Sequence, residues 1–196
     1  GGDTCRAERV TIAVFLVGRA WRKKGKLASR QTGGFFLRSG AKAGDALFVT
    51  GRLGGSLGSG RHLRFVPRLA ESRFLAERYP VTAMMDVSDG LAKDVRQIGE
   101  ASGVGFEIFE KSVPLHRDAA RRGVAAAFLD GEDFELLFTL AADDADRLER
   151  DVRVHRQKFT FHRIGRAVSK RLGYQRITAD GRHQPFPAAP DHHFGS

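Results

Sequence analysis

Cysteine is nearly missing: Cys5 stands alone in 196 residues, which excludes an intrachain disulfide framework and a cysteine-based zinc cluster. No apolar run approaches the ~20 residues that a helical membrane span requires, and no basic-then-apolar leader opens the chain. Tryptophan occurs once and proline six times. Acidic residues are outnumbered, 23 against 33 Lys and Arg, for a formal charge of +10 at pH 7. Apolar residues still make up 41%, enough for a packed core, so a disordered chain is excluded as well. These absences predict a soluble, cytoplasmic protein of one compact domain or one and a half, with no membrane partner.

The chain opens on Gly1-Gly2-Asp3-Thr4, a turn-like motif with a carboxylate at its tip and no leading methionine. The expectation is a piece of a longer chain. The densest basic stretch, residues 19–30, runs from Arg19 through Trp21, Arg22, Lys23, Lys24 and Lys26 to Arg30. A solvated loop in a basic protein is the plainer reading, and stacking of Trp21 on a base is the other. Other basic residues are spread singly, and no helix-turn-helix, finger or RNA-binding aromatic motif accompanies them, so no nucleic-acid partner is expected.

Periodicity predicts interleaved strands and helices without a strict βαβ repeat, hence an α+β or mixed α/β class. Residues 10–17 read as a buried strand, and Ala46–Thr50 as a short one ending in a glycine-rich loop over 51–60. Pro67 opens a helix to about Arg78, with Leu69, Phe74 and Leu75 inward. A strand follows over 81–85. Ser88 then caps a helix from about Leu91, whose stripe of Leu91, Val95 and Ile98 is stopped by Gly103. Val104, Phe106 and Ile108 alternate as a strand. Strands over 134–140 and 159–164 flank a short helix over 143–150, the second strand being the last expected, and from about Pro185 little regular structure is foreseen.

Three places carry chemistry. The glycine-rich loop after the Ala46–Thr50 strand reads as a phosphate cradle or as a flexible turn, and lacks both the Walker A ending and the dinucleotide spacing. Asp86-Val87-Ser88-Asp89-Gly90 joins a strand end to a helix start, where carboxylates either cap the helix or ligate a cation. Gly131-Glu132-Asp133-Phe134-Glu135-Leu136 packs three acids at the start of an apolar strand. Acids facing one point repel unless a cation lies between them, and oxygen-only donors favour Mg²⁺ over zinc. Acidic corners, Asp3 included, on an otherwise basic protein suit a metal–nucleotide phosphate site.

Taken in order, Gly1-Gly2-Asp3-Thr4, Arg38-Ser39-Gly40-Ala41-Lys42 with Gly44-Asp45, His62-Leu63-Arg64 with Pro67-Arg68, Asp86 to Leu91, Gly131 to Leu136 and His193-Phe194 resemble the thiamine-monophosphate kinases. These belong to the aminoimidazole-ribonucleotide-synthetase-like superfamily of ATP-dependent enzymes. The resemblance implies transfer of the ATP γ-phosphoryl group to thiamine phosphate, giving thiamine diphosphate, with ATP as co-substrate and several Mg²⁺ ions. It implies that Gly2, Asp3, Arg38 and Ser88 contact ATP, that Asp3, Asp86 and Asp89 ligate Mg²⁺, and that Glu132 binds the thiamine moiety. The substrate-contacting aromatic place near the C-terminus falls on Asp191, and Cys5 stands where a second threonine is common. No residue is assigned as catalytic.

By the same resemblance, residues 1–36 are the end of an ATP-binding N-terminal domain, residues 37–184 a C-terminal α+β domain and residues 185–196 a tail. The stretch from Trp21 to Gly34 is longer and more basic than the family's. A homodimer is expected for the full-length form, and residues 1–196 alone are expected to be a poor kinase or an inactive one. Rival readings are another enzyme of the superfamily, a truncated inactive remnant, and a basic nucleic-acid-binding module.

Overall fold

The computed structural model describes residue 17 and residues 35–119, 121–154 and 159–188. The expectations placed on Gly2, Asp3, Cys5, the basic stretch 19–30, Asp191 and His193-Phe194 lie outside them. So does the strand over 10–17, save Val17, which is exposed and in no strand.

Seven strands form one sheet among the described residues: β1 (Ala46–Thr50), β2 (Ala83–Val87), β3 (Val104–Phe109), β4 (Glu135–Leu140), β5 (Phe161–Ser169), β6 (Tyr174–Ile177) and β7 (His183–Pro185). Their order is β2-β4-β1-β5-β3-β6-β7, antiparallel throughout except for β3 beside β6. Five α-helices accompany it among the described residues: α1 (Ser56–Ser59), α2 (Leu69–Arg78), α3 (Leu91–Ser102), α4 (Val124–Leu129) and α5 (Ala142–Val154). The α+β class expected from the sequence is the one found.

β1 lies inside the sheet, and its five residues are all buried. The two-residue period sends Leu47 and Val49 to one face and Ala46 and Phe48 to the other. On the first face they meet Met85, Val87 and the α3 stripe Leu91, Val95 and Ile98; on the second, Phe74 and Leu75 of α2, Phe138 of β4 and Leu148 of α5. Each face of the sheet therefore has its own core, and β1 belongs to both.

Several expected elements shift. Leu69 is 75% exposed rather than inward. Five residues before Phe74, it lies about 140° round the helix from that buried position. β2 begins two residues later than predicted and α5 is longer at both ends. β5 is not the last strand, for β6 and β7 follow. Their residues are half-buried or exposed and carry no strong alternation, so the parallel pairing of β6 with β3 makes them strands. Gly103 ends α3 in the left-handed conformation, φ 71°, as its position predicts.

Candidate active site

Sheet register brings the two acidic motifs together. β2 pairs with β4 so that Asp86 faces Leu136 and Val87 faces Glu135. The loop leaving β2 and the loop entering β4 therefore run side by side. Glu132 N–H donates to the Ser88 carbonyl at 2.9 Å, and Phe134 N–H to the Val87 carbonyl at 2.8 Å. A Cβ on Gly131 would lie 2.4 Å from the Ser88 carbonyl oxygen, so glycine is required for this approach. Glu132 and Phe134 both take left-handed backbone, φ 67° and 51°. Two such residues store about 1 kcal/mol or more each, and strain of this kind gathers at functional sites.

On the β2 side the carboxylates of Asp86 and Asp89 are both exposed. Asp86 has no partner among the described residues, and Asp89 is held by the equally exposed Lys93, Nζ 3.0 Å away. Ser88 does not cap α3. The capping position is Gly90, which makes no side-chain bond. The free amides are met from inside the helix by Asp94, whose Oδ2 accepts the N–H groups of Ser88 at 3.0 Å and Asp89 at 3.1 Å. Asp94 is fully buried, and burial pushes its carboxyl up to about 7 against the pull of those two N–H bonds.

On the β4 side the three acids do not share one point. Asp133 accepts Gly54 N–H at 2.8 Å and Arg61 Nη2 at 2.9 Å. Glu135 takes Arg68 through both oxygens, at 2.7 and 2.6 Å, and Thr50 Oγ1 at 2.7 Å. Both carboxylates are buried against arginine, which corrects the expectation of three acids around a cation. Burial raises the Asp133 carboxyl to about 6, with Gly54 N–H and Arg61 opposing. Glu132 alone is left half-buried with no side-chain partner among the described residues.

In the glycine-rich loop the structure bears on the phosphate-cradle reading. The Gly54 and Gly55 amides point at Asp133 and Asp130, so carboxylates of the chain fill the cradle. Sequence reasoning missed Asp94, Arg61 and Thr50, and gave Arg68 no role. The available signal was the surplus of acids beside an apolar strand: a buried carboxylate needs a cation or several N–H donors.

Arg38 follows Leu37, whose carbonyl accepts the Met84 N–H of β2 at 2.8 Å, and the Arg38 carbonyl itself accepts Ser102 Oγ at 3.3 Å at the end of α3. Thus the paired loops bring Asp86, Ser88, Asp89 and Glu132 together. Among the described residues no three His, Cys, Asp or Glu side chains form a metal cage. The oxygen chemistry of Asp86 and Asp89, exposed at a helix start, nevertheless fits a hard cation such as Mg²⁺. No helix among the described residues is long and apolar enough to cross a membrane.

Residues 59–175 match the family model "AIR synthase related protein, C-terminal domain". The curated thiamine-monophosphate kinase of Rhodopirellula baltica is 38% identical over 160 residues, covering 78% of this chain and 49% of that protein. The chain spans about half the length of the curated relatives it matches. Among solved structures, AaThiL complexed with AMPPCP and TMP aligns with a TM-score of 0.57 at 25% identity, covering 77% of this chain and 52% of that one. Escherichia coli HypE, a hydrogenase maturation protein, aligns with a TM-score of 0.64 at 22% identity over 81% of this chain and 54% of that one, a likeness of fold.

Proposed function

The chain belongs to the AIR synthase related family, and on that premise we propose that it works in an ATP-dependent kinase that converts thiamine phosphate to thiamine diphosphate. The observation that carries this reading is the hydrogen bond from Glu132 N–H to the Ser88 carbonyl. It sets the loop of Asp86, Ser88 and Asp89 against Glu132, so a phosphate-side group and an acceptor-side group share one wall. The curated relatives' names and the AMPPCP and TMP of AaThiL support the choice of reaction and of substrates.

Phosphoryl transfer asks little covalent help of a protein, so positioning and charge neutralisation supply most of the rate. Ser88 contacts the nucleotide in this reading, and Asp86 and Asp89 hold Mg²⁺. Bound there, Mg²⁺ offsets the repulsion between two phosphate groups that must approach. The half-buried carboxylate of Glu132 attracts the cationic thiamine half and sets the orientation of its phosphate. In this reading Gly2, Asp3 and Arg38 complete the ATP contacts and Asp191 occupies the sequence position of the family's substrate-contacting aromatic, in a homodimer within the cytoplasm. Residues 37–184 belong to the C-terminal domain of that enzyme, with Pro185 closing β7 and Phe186 buried in its core, and residues 1–36 are the end of its ATP-binding N-terminal domain.

Glu132→Gln tests the assignment, measured in the chain together with its natural flanking sequence. The KM for thiamine phosphate should rise at least tenfold while the KM for ATP changes less than threefold. Equal rises in both would remove Glu132 from substrate recognition. An enzyme that makes no thiamine diphosphate at all from ATP, Mg²⁺ and thiamine phosphate would overturn the reaction.

A further inference from the structure

Asp94 is fully buried, and the proposed function assigns it no role. It lies in the first turn of α3 and reaches back toward β2. Its Oδ2 holds two consecutive amides, Ser88 and Asp89, and its Oδ1 takes Gln97 Nε2 at 3.3 Å. The Ser88 carbonyl, on the other side of the same residue, holds Glu132 N–H. Ser88 is thus gripped through both backbone groups, by α3 and by the loop that carries Glu132. Two residues on, Gly90 is packed closely as well: a Cβ there would stand 2.9 Å from the Phe128 carbonyl oxygen and 3.1 Å from that of Asp130.

We propose that Asp94 is a positioning residue of the transfer site, fixing the Ser88–Asp89 amides and, through the Ser88 carbonyl, the Glu132 loop. The inference rests on the function proposed above. One buried oxygen that accepts two consecutive amides ties the loop to α3 at two points, and releasing either would leave a buried polar group without its partner. The consequence is that the nucleotide side and the acceptor side of the site share one support. A displacement of about 1 Å in such an arrangement costs on the order of a hundredfold in rate.

Asp94→Asn keeps the shape, replaces the carboxyl by an amide that accepts less strongly, and touches neither substrate. Made in the chain with its natural flanks, it should leave the circular dichroism spectrum native. It should nevertheless lower kcat for thiamine diphosphate formation tenfold or more and raise the KM for thiamine phosphate as well. Combined with Glu132→Gln, the loss in kcat/KM should fall at least threefold short of the product of the two single losses, because the single changes act through one loop. Amide exchange in the substrate-free protein gives a readout apart from activity: Ser88, Asp89 and Glu132 should all exchange at least tenfold faster. If Asp94→Asn does not fold, Asp94→Glu carries the same comparisons. A variant with lower thermal stability but unchanged kcat and KM per folded molecule would make Asp94 a structural anchor only and overturn the proposal. Faster exchange at Ser88 and Asp89 with Glu132 unchanged would overturn the link between the two loops. A wild-type protein without kinase activity would defeat the proposed function, while the exchange experiment would still decide whether Asp94 holds both loops.

Discussion

Glu132, Asp133 and Glu135 are near neighbours in sequence and differ completely in circumstance. Asp133 and Glu135 are 3% exposed and paired with Arg61 and Arg68, whereas Glu132 is half-buried and has no side-chain partner among the described residues. Only the last is free to meet a ligand. Asp133 gives a pH prediction. Its value in the folded protein, about 6, lies above the ~3.9 of an unfolded chain, so the folded state holds the proton more tightly. The stability gained from this is complete below about pH 4 and is lost as pH rises through 6. Urea unfolding of wild type should weaken by up to ~3 kcal/mol between pH 4 and 6.5 relative to Asp133→Asn, which lacks the titrating group. A pH-independent difference between the two proteins would refute this. Asp86 bears on activity and not on stability, because its carboxylate is exposed and unpartnered among the described residues. Asp86→Asn should leave the melting temperature within about 2 °C, as an exposed polar change does, and abolish most kinase activity. Retained turnover with lost thermal stability would instead mark Asp86 as part of the helix start.

Among the elements, the turn after β1 depends on one glycine. Gly51 has φ 58°, and a Cβ there would stand 2.3–2.7 Å from the Glu135 carboxyl group. Gly51→Ala should therefore displace Glu135 from Arg68 and Thr50, leaving buried charge with a poorer partner. We expect a cost of at least ~2 kcal/mol in denaturant unfolding. A change below 0.5 kcal/mol would show that the Glu135–Arg68 pair tolerates the displacement. This contact also shows why some of the site could be read from sequence and some could not. The α3 stripe and its Gly103 stop follow from local periodicity and from one residue's backbone preference, and both were legible. So was the nearness of Asp86 to a helix start. Arg68 meeting Glu135, Arg61 meeting Asp133 and Asp94 turning back to Ser88 depend on where strands pair and how a loop packs. No local pattern encodes those choices. The acids at 132, 133 and 135 were recognised as too many for an apolar strand, but residue type alone could not say which would find arginine.

At the scale of the whole molecule, β1 joins two cores that α2 and α5 cover on one face of the sheet and α3 and α4 on the other. Losing the helices of either face would expose the β1 side chains that point to it, Leu47 and Val49 on one and Ala46 and Phe48 on the other. The candidate site sits where β2, the sheet's terminal strand, hands the chain to α3, so its geometry depends on the first core directly and on the second through β4 and β1. This predicts one cooperative unfolding unit. Ile98→Ala empties the α3 side and Leu148→Ala the α5 side, each a fully buried position. Each should cost about 2–5 kcal/mol, from lost burial plus the cavity left behind. The residues belong to separate clusters with the sheet between them, so their effects should add to within about 0.5 kcal/mol. Both variants should lower the midpoint of a single transition, seen identically by far-ultraviolet circular dichroism and by aromatic fluorescence. A protein in which Leu148→Ala splits the curve, with α5 and its core melting first while the α3 side persists, would show that β1 does not couple the two faces. The Asp86–Glu132 site would then stand on the α3 core alone.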